Sequence, residues 1–313
     1  MIKIGITCGD INGIGPEISI KAIKQLKGDY KFYLIGPKNV WLQQISLNKF
    51  DEFEKIEFVD LGKYKTSIGT PTLTSGKISL EAIKESIRLW DEKVIDVIIT
   101  APISKEAINK AGSKFPGHTE IYAKHFNTNK YAMLFLSNSI FAGLVTIHVP
   151  IKEVPKLLTR ELLETKISAV RESLIRDFKI RSPKIAILGL NPHAGESELI
   201  GQEEAEIIEP VIKKLSGNKF GIYGPFSPDG FFGQKDFKNY ECVLGMYHDQ
   251  VLIPFKLLNF NSGVNFTAGL PLIRTSPDHG TAFKIAGKNL ADHRSMLAAI
   301  KYAIKIYKNR NSL

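Results

Sequence analysis

Three histidines share one setting. His148 ends the run Leu144-Val145-Thr146-Ile147, His193 follows Ile187-Leu188-Gly189-Leu190-Asn191-Pro192, and His248 ends Leu244-Gly245-Met246-Tyr247. Each run reads as a buried β-strand, and in open α/β sheets ligands gather beyond the carboxyl ends of the strands, so imidazoles far apart in the chain can converge there. Neutral imidazole is a good ligand for zinc and its first-row neighbours. Three protein ligands with one open position describe a catalytic metal site. The alternative is three ordinary polar residues at strand ends.

Other residues suit an anion. Gly117-His118-Thr119-Glu120 reads as a turn entering a helix, where a Thr hydroxyl and free N–H groups can hold a phosphate, or where Thr119 simply caps the helix. Lys256, Asn265 and Arg274 fall in a Gly-, Asn- and Pro-rich stretch expected to be loop or irregular strand. Arginine grips phosphate or carboxylate with two prongs, lysine gives a point charge and asparagine orients polar groups, so together they resemble an anion cradle; singly, each is surface decoration. Thr275-Ser276-Pro277-Asp278-His279-Gly280-Thr281-Ala282 reads as a glycine-bearing loop running into a helical stretch, which can approach a pyrophosphate or merely start a helix. There is no GxGxxG after the first strand, which argues against an ordinary Rossmann nicotinamide site.

Elements that would position these residues alternate along the chain. Strands are expected at Ile2 to Thr7, Lys31 to Ile35, Lys55 to Asp60, Val94 to Thr100, Phe141 to Ile147, Lys184 to Leu190 and Cys242 to Tyr247. Gly13-Ile14-Gly15-Pro16-Glu17 leads into a helix, its proline suited to the first turn. Leu80, Ile83, Ile87 and Trp90 mark an amphipathic helix over Lys77 to Trp90, and further helices are expected at Arg160 to Phe178, Gly201 to Leu215 and around Leu297 to Tyr307. Strands separated by helices favour parallel sheets covered on both faces. The expected fold is therefore α/β and bilobal, with residues 1–130 and 275–313 in one lobe and 131–274 in the other.

Composition narrows the class. With 313 residues, 43% hydrophobic, the chain can bury a large core and is neither disordered nor fibrous. No apolar run is long enough to cross a bilayer and no signal peptide is evident, so a cytoplasmic protein without a membrane partner is expected. Cys8 and Cys242, each in an apolar run, make no disulfide framework. The net charge of +10 raises the question of nucleic acid, but the lysines are scattered over helix faces without an aromatic-basic stripe, so no nucleic-acid partner is expected.

Gly9-Asp10 with Gly13-Ile14-Gly15-Pro16-Glu17, Gly117-His118-Thr119-Glu120, Leu190-Asn191-Pro192-His193-Ala194-Gly195-Glu196, Tyr247-His248-Asp249-Gln250 and Arg274-Thr275-Ser276 with Asp278-His279-Gly280-Thr281-Ala282 occur in this order over nearly the whole chain. In these motifs the sequence resembles the 4-hydroxythreonine-4-phosphate dehydrogenase family. Its closing loop is also similar to that of isocitrate and isopropylmalate dehydrogenases. The resemblance implies a bilobal α/β/α fold with mostly parallel sheets and a homodimer whose active site is shared across the interface. One divalent metal ion (Zn, Mg, Mn or Co) would be held by His148, His193 and His248, with ligands drawn from both subunits and the second lobe carrying the metal and dimer contacts. His118, Thr119, Lys256, Asn265 and Arg274 would contact substrate, Asp278 to Ala282 would contact NAD or NADP, and Lys105 and Asp249 would serve proton transfer or support the metal. The activity implied is oxidation of 4-phosphooxy-L-threonine to a β-keto acid that loses CO2, giving 3-amino-2-oxopropyl phosphate in pyridoxine biosynthesis. Ile11-Asn12 stands where Pro-Ala is expected, and Lys284 and Asn289 where the closing loop often has an acid and a glycine; these departures bear on the cofactor contacts. Two rival classes remain, a metal-dependent hydrolase of a phosphorylated metabolite and a nucleic-acid-binding protein.

Overall fold

Ile4, Gly5, Ile6 and Thr7 of the first strand are buried, and so are Val97, Ile98 and Ile99 of the fourth: both faces of these strands are covered, as a parallel sheet between helices requires. The computed structural model describes residues 1–115, 117–216 and 221–312 and divides into two compact units. The first comprises Met1–Asn127 and Pro271–Lys308, the second Thr128–Leu270 and Asn309–Leu313. The expected divisions lay at 130/131 and 274/275.

The first unit contains β1 (Ile2–Thr7), β2 (Tyr30–Gly36), β3 (Ile56–Asp60) and β4 (Val97–Thr100). The later strand β11 (Arg274–Pro277) joins them in the order β3-β2-β1-β4-β11, every pairing parallel. The helix Leu73–Asp91 packs on β1, β2 and β4; Thr72 and Ser75 close its N-terminus with a reciprocal capping box, which sets its start four residues ahead of the expected Lys77.

The second unit contains β5 (Ala132–Leu136), β6 (Phe141–Leu144), β7 (Ile185–Leu188), β8 (Ile222–Phe226), β9 (Cys242–Gly245) and β10 (Val264–Ala268). Their order is β10-β5-β6-β9-β7-β8, antiparallel at β10/β5 and β5/β6 and parallel elsewhere. Ser137 makes the β5–β6 turn by accepting the N–H groups of Ser139 and Ile140 on its hydroxyl. Phe135, Leu144, Leu188, Val243, Val251 and Phe255 form part of the core. The helix Arg160–Phe178 has the expected bounds.

Three expectations are refined. The helical stretch expected over Gly201 to Leu215 runs without a break from residue 203 and carries a π-turn, Glu204–Ile208, ahead of its α-helical part Glu209–Ser216. Of the residues in the stretch expected to be loop or irregular strand, Lys256 lies instead on the helix His248–Asn259, while Asn265 and Arg274 are on strands, in β10 and at the start of β11. Thr275 to Pro277 is strand, and the loop after it meets only a short 3-10 turn, Phe283–Ile285, before the helix Arg294–Arg310. No long helix N-terminus therefore follows Gly280 directly.

Candidate active site

In the first unit, β1, β4 and β11 set a polar group on one face. Thr7 is in register with Thr100 and Arg274 with Ile98, two residues earlier, so the two-residue period of a strand aims all three side chains the same way. Arg274 is only 3% exposed, and its Nε and Nη2 donate to Thr100 Oγ1 at 2.9 and 2.6 Å. Burial lowers its pKa to about 10, opposed by Tyr122 and Glu120, so the guanidinium keeps its charge at neutral pH. His118 opens the helix His118–His125 after Gly117 in extended backbone. Its Nε2 is buried and makes no hydrogen bond, and burial, together with the Arg274 charge, holds its pKa well below the usual value.

Thr119 is buried within the first turn of that helix, while the N-cap is Gly117, with no side-chain cap. Thr7 Oγ1 is likewise buried without a hydrogen-bond partner. Neither Thr7 nor Thr100 is recognisable from the sequence, because only strand pairing turns them toward Arg274. A buried guanidinium, an unsatisfied imidazole nitrogen and a helix start suit a phosphate ester.

The second unit places the three histidines at the carboxyl ends of three neighbouring parallel strands, β6, β9 and β7. His148 and His248 come together, ring centroids 5.7 Å apart. Asp249 holds His248 through an Nδ1–Oδ1 contact of 2.7 Å, the arrangement that fixes a metal-binding imidazole and leaves its Nε2 for the ion. His148 and His193 both sit in left-handed backbone, φ 53° and 51°. That conformation costs roughly 1–2 kcal/mol for an ordinary residue and persists where surrounding structure enforces it. Among the described residues no three His, Cys, Asp or Glu side chains of one chain gather closely enough to hold a metal, so His193 is not brought to the pair. As a donor set, three imidazoles with a carboxylate behind one of them fit a first-row divalent ion.

The remaining expected residues are spread over the two units. Lys256 is half-buried in the last turn of its helix, and Asn265 Oδ1 is buried without a hydrogen-bond partner. Lys105 is exposed at the start of the helix Lys105–Lys110. In the closing loop, Asp278 N–H donates to Ser295 Oγ and Thr281 O accepts the N–H of Ile14. The opening turn thus meets the closing one, and a Cβ at Gly13 would lie 2.8 Å from Thr281 O. At Gly280 an added Cβ would meet nothing within 4 Å, so backbone there is open to a ligand such as a pyrophosphate, as a nicotinamide dinucleotide requires. Asn12 has a local structural use: it accepts the N–H of Ser67 at 2.8 Å and donates to Thr70 O at 2.8 Å, tying down the segment before the helix Leu73–Asp91.

The chain matches the family described as pyridoxal phosphate biosynthetic protein PdxA over residues 17–303. It is 39% identical over 326 residues to a 4-hydroxythreonine-4-phosphate dehydrogenase of Bacteroides thetaiotaomicron, covering 99% of this chain and 90% of that protein. A solved 4-hydroxythreonine-4-phosphate dehydrogenase from Klebsiella pneumoniae is similar over 98% of this chain and 100% of that one, with TM-score 0.83 and 33% identity. A terephthalate 1,2-cis-dihydrodiol dehydrogenase from Burkholderia xenovorans is similar over 97% and 98%, with TM-score 0.67 and 26% identity. No helix among the described residues is long and apolar enough to cross a membrane.

Proposed function

Since the chain belongs to the pyridoxal phosphate biosynthetic protein PdxA family and is an oxidoreductase, we propose that it is a 4-hydroxythreonine-4-phosphate dehydrogenase dependent on NAD or NADP and on a divalent metal. It oxidises 4-phosphooxy-L-threonine at C3 to 2-amino-3-oxo-4-phosphooxybutanoate, which loses CO2 to give 3-amino-2-oxopropyl phosphate. The observation that carries this reading is the 39% identity, along nearly the full chain, to a relative named for that reaction.

Arg274, His118 and Thr119 bind the phosphate: the guanidinium supplies charge and the unsatisfied Nε2 a further polar contact. Lys256 and Asn265 orient the carboxylate and other polar groups of the substrate, the buried Oδ1 of Asn265 being an acceptor in want of a donor. His148, His193 and His248 would hold the metal, with Asp249 fixing the His248 ring. The backbone of Asp278, His279, Gly280, Thr281 and Ala282 would take the dinucleotide. When bound, the metal supplies Lewis acidity and the nicotinamide a hydride acceptor. Lys105 or Asp249 removes the proton of the C3 hydroxyl as C3 is oxidised.

Two copies of the chain associate through the second unit, each contributing ligands to the other's metal. In support, Ile253, Leu257 and Leu258 of the helix His248–Asn259, and Phe260 just after it, are exposed, Leu257 at 82%. These lie on or beside the element that starts at His248.

Incubating the protein with NAD or NADP, Mn2+ and 4-phosphooxy-L-threonine tests the reaction. Reduced nicotinamide and CO2 should form together and cease when the metal is chelated. Release of inorganic phosphate without reduced nicotinamide would replace the dehydrogenase with a hydrolase.

A further inference from the structure

Glu204 is a buried carboxylate, 2% exposed, at the first position of the π-turn Glu204–Ile208. Its Oε1 accepts the N–H groups of Leu190 at 2.6 Å and Asn191 at 2.8 Å, and its Oε2 accepts Asn191 Nδ2 at 2.8 Å. The same Nδ2 donates to Glu203 Oε2 at 2.8 Å, so two successive carboxylates grip the side chain of Asn191. Three glycines clear the space for this clamp. A Cβ at Gly189 would lie 3.0 Å from Glu204 Oε1, one at Gly195 2.9 Å from Oε2, and one at Gly201 2.2 Å from Asn191 Nδ2.

Directly after the clamped turn, the six residues from His193 to Glu198 all have positive φ, five of them not glycine. Backbone of this kind holds only when its surroundings over-determine it, and the grip on Leu190 and Asn191 fixes the chain at the point where the run begins. A π-turn is rare and frequently accompanies a functional site.

We propose that Glu204 is a positioning residue: it sets the Leu190-Asn191-Pro192 turn so that His193 is presented beyond β7 in the orientation the metal needs. This rests on the reading of His193 as a ligand. Both carboxylate oxygens are occupied by the turn, which separates Glu204 from the ligands themselves.

Metal-free full-length protein is titrated calorimetrically with Co2+, at a temperature well below the melting of each variant. Glu204→Ala should weaken Co2+ binding about 10- to 100-fold, the range found when an outer-shell partner of a ligand is removed. Glu204→Gln keeps an oxygen for both backbone N–H groups but turns an NH2 toward Asn191 Nδ2, so it should, like the charged but shorter Glu204→Asp, fall between Glu204→Ala and the parent protein. A side chain that served stability alone would lower the melting temperature and leave the Co2+ affinity of the folded protein unchanged. Parental affinity in Glu204→Ala therefore overturns the proposal, as it does in Glu204→Asp should the alanine variant not fold. His193→Ala, titrated alongside, separates the two readings. If it loses Co2+ while Glu204→Ala does not, only the positioning role falls; if it binds Co2+ normally, the ligand assignment falls and takes the positioning role with it.

Discussion

The polar group around Arg274 and the histidine edge of the second unit are finished to different degrees by the folding of one chain. Arg274, Thr119, Thr100 and Thr7 are all buried, and the Nε2 of His118 is closed off with them. These groups have surrendered their hydration before a ligand arrives, so an entering phosphate meets charge and polar atoms already in place. His148 and His193 stay exposed and His248 is 41% exposed, with only two of the three rings adjacent. On the proposed reading, recognition of the anion is preorganised within one chain, whereas the metal-binding set would be completed by a second copy.

The contrast is most open to attack at Arg274. Replacing it with Ala should lower kcat/KM for the phosphorylated substrate on the order of 10^2- to 10^3-fold, the scale of losing a buried charged contact, and leave the KM for NAD within about twofold. Steady-state kinetics with each substrate varied in turn would show it. An effect concentrated on NAD would move Arg274 to the cofactor.

On the histidine side, Asp249→Asn should weaken metal binding roughly 10-fold or more by loosening the His248 ring. Titration with Mn2+ measures this, while the affinity of the metal-free protein for inorganic phosphate should not change. If phosphate affinity fell in parallel, the two regions would not be independent.

The smallest expected effect is a pH dependence. His118, half-buried with its Nε2 enclosed and under the influence of the Arg274 charge, has a pKa well below its ordinary value near 6.5, so the unfolded chain takes up a proton there while the folded one does not. Its contribution to stability is therefore present above about pH 6.5 and is lost as pH falls below that, by up to about 1.4 kcal/mol per unit until the folded-state pKa is reached. Melting temperatures of the parent protein and His118→Asn between pH 7 and 5 should diverge, the variant falling less steeply. Parallel curves would mean that the imidazole is protonated in the folded protein.

Much of the fold was legible along the chain. Ile2–Thr7 and Arg160–Phe178 match their expected bounds because burial imprints a run or a helical period on the residues themselves. The strand-end histidines were legible for the same reason, each following an apolar run. β5, β8, β10 and β11 were not. Arg274-Thr275-Ser276-Pro277 reads as polar loop although all four residues are buried, and Ile222–Phe226 carries a Gly-Pro pair that signals a turn. Glu204 gave no signal either, standing among neighbouring acids at 203 and 206 that look like a solvated helix face.

The sequence by itself determined the α/β alternation, the residues that end each strand and the family, since these reside in local pattern and in ordered motifs. Only the tertiary structure decided that Thr7, Thr100 and Arg274 share one face, that His148 meets His248 while His193 stands apart, and that Glu204 reaches back to the turn before His193. The physical reason is that which side chains converge depends on strand register and on hydrogen bonds closed between distant segments, and no stretch of neighbouring residues encodes either.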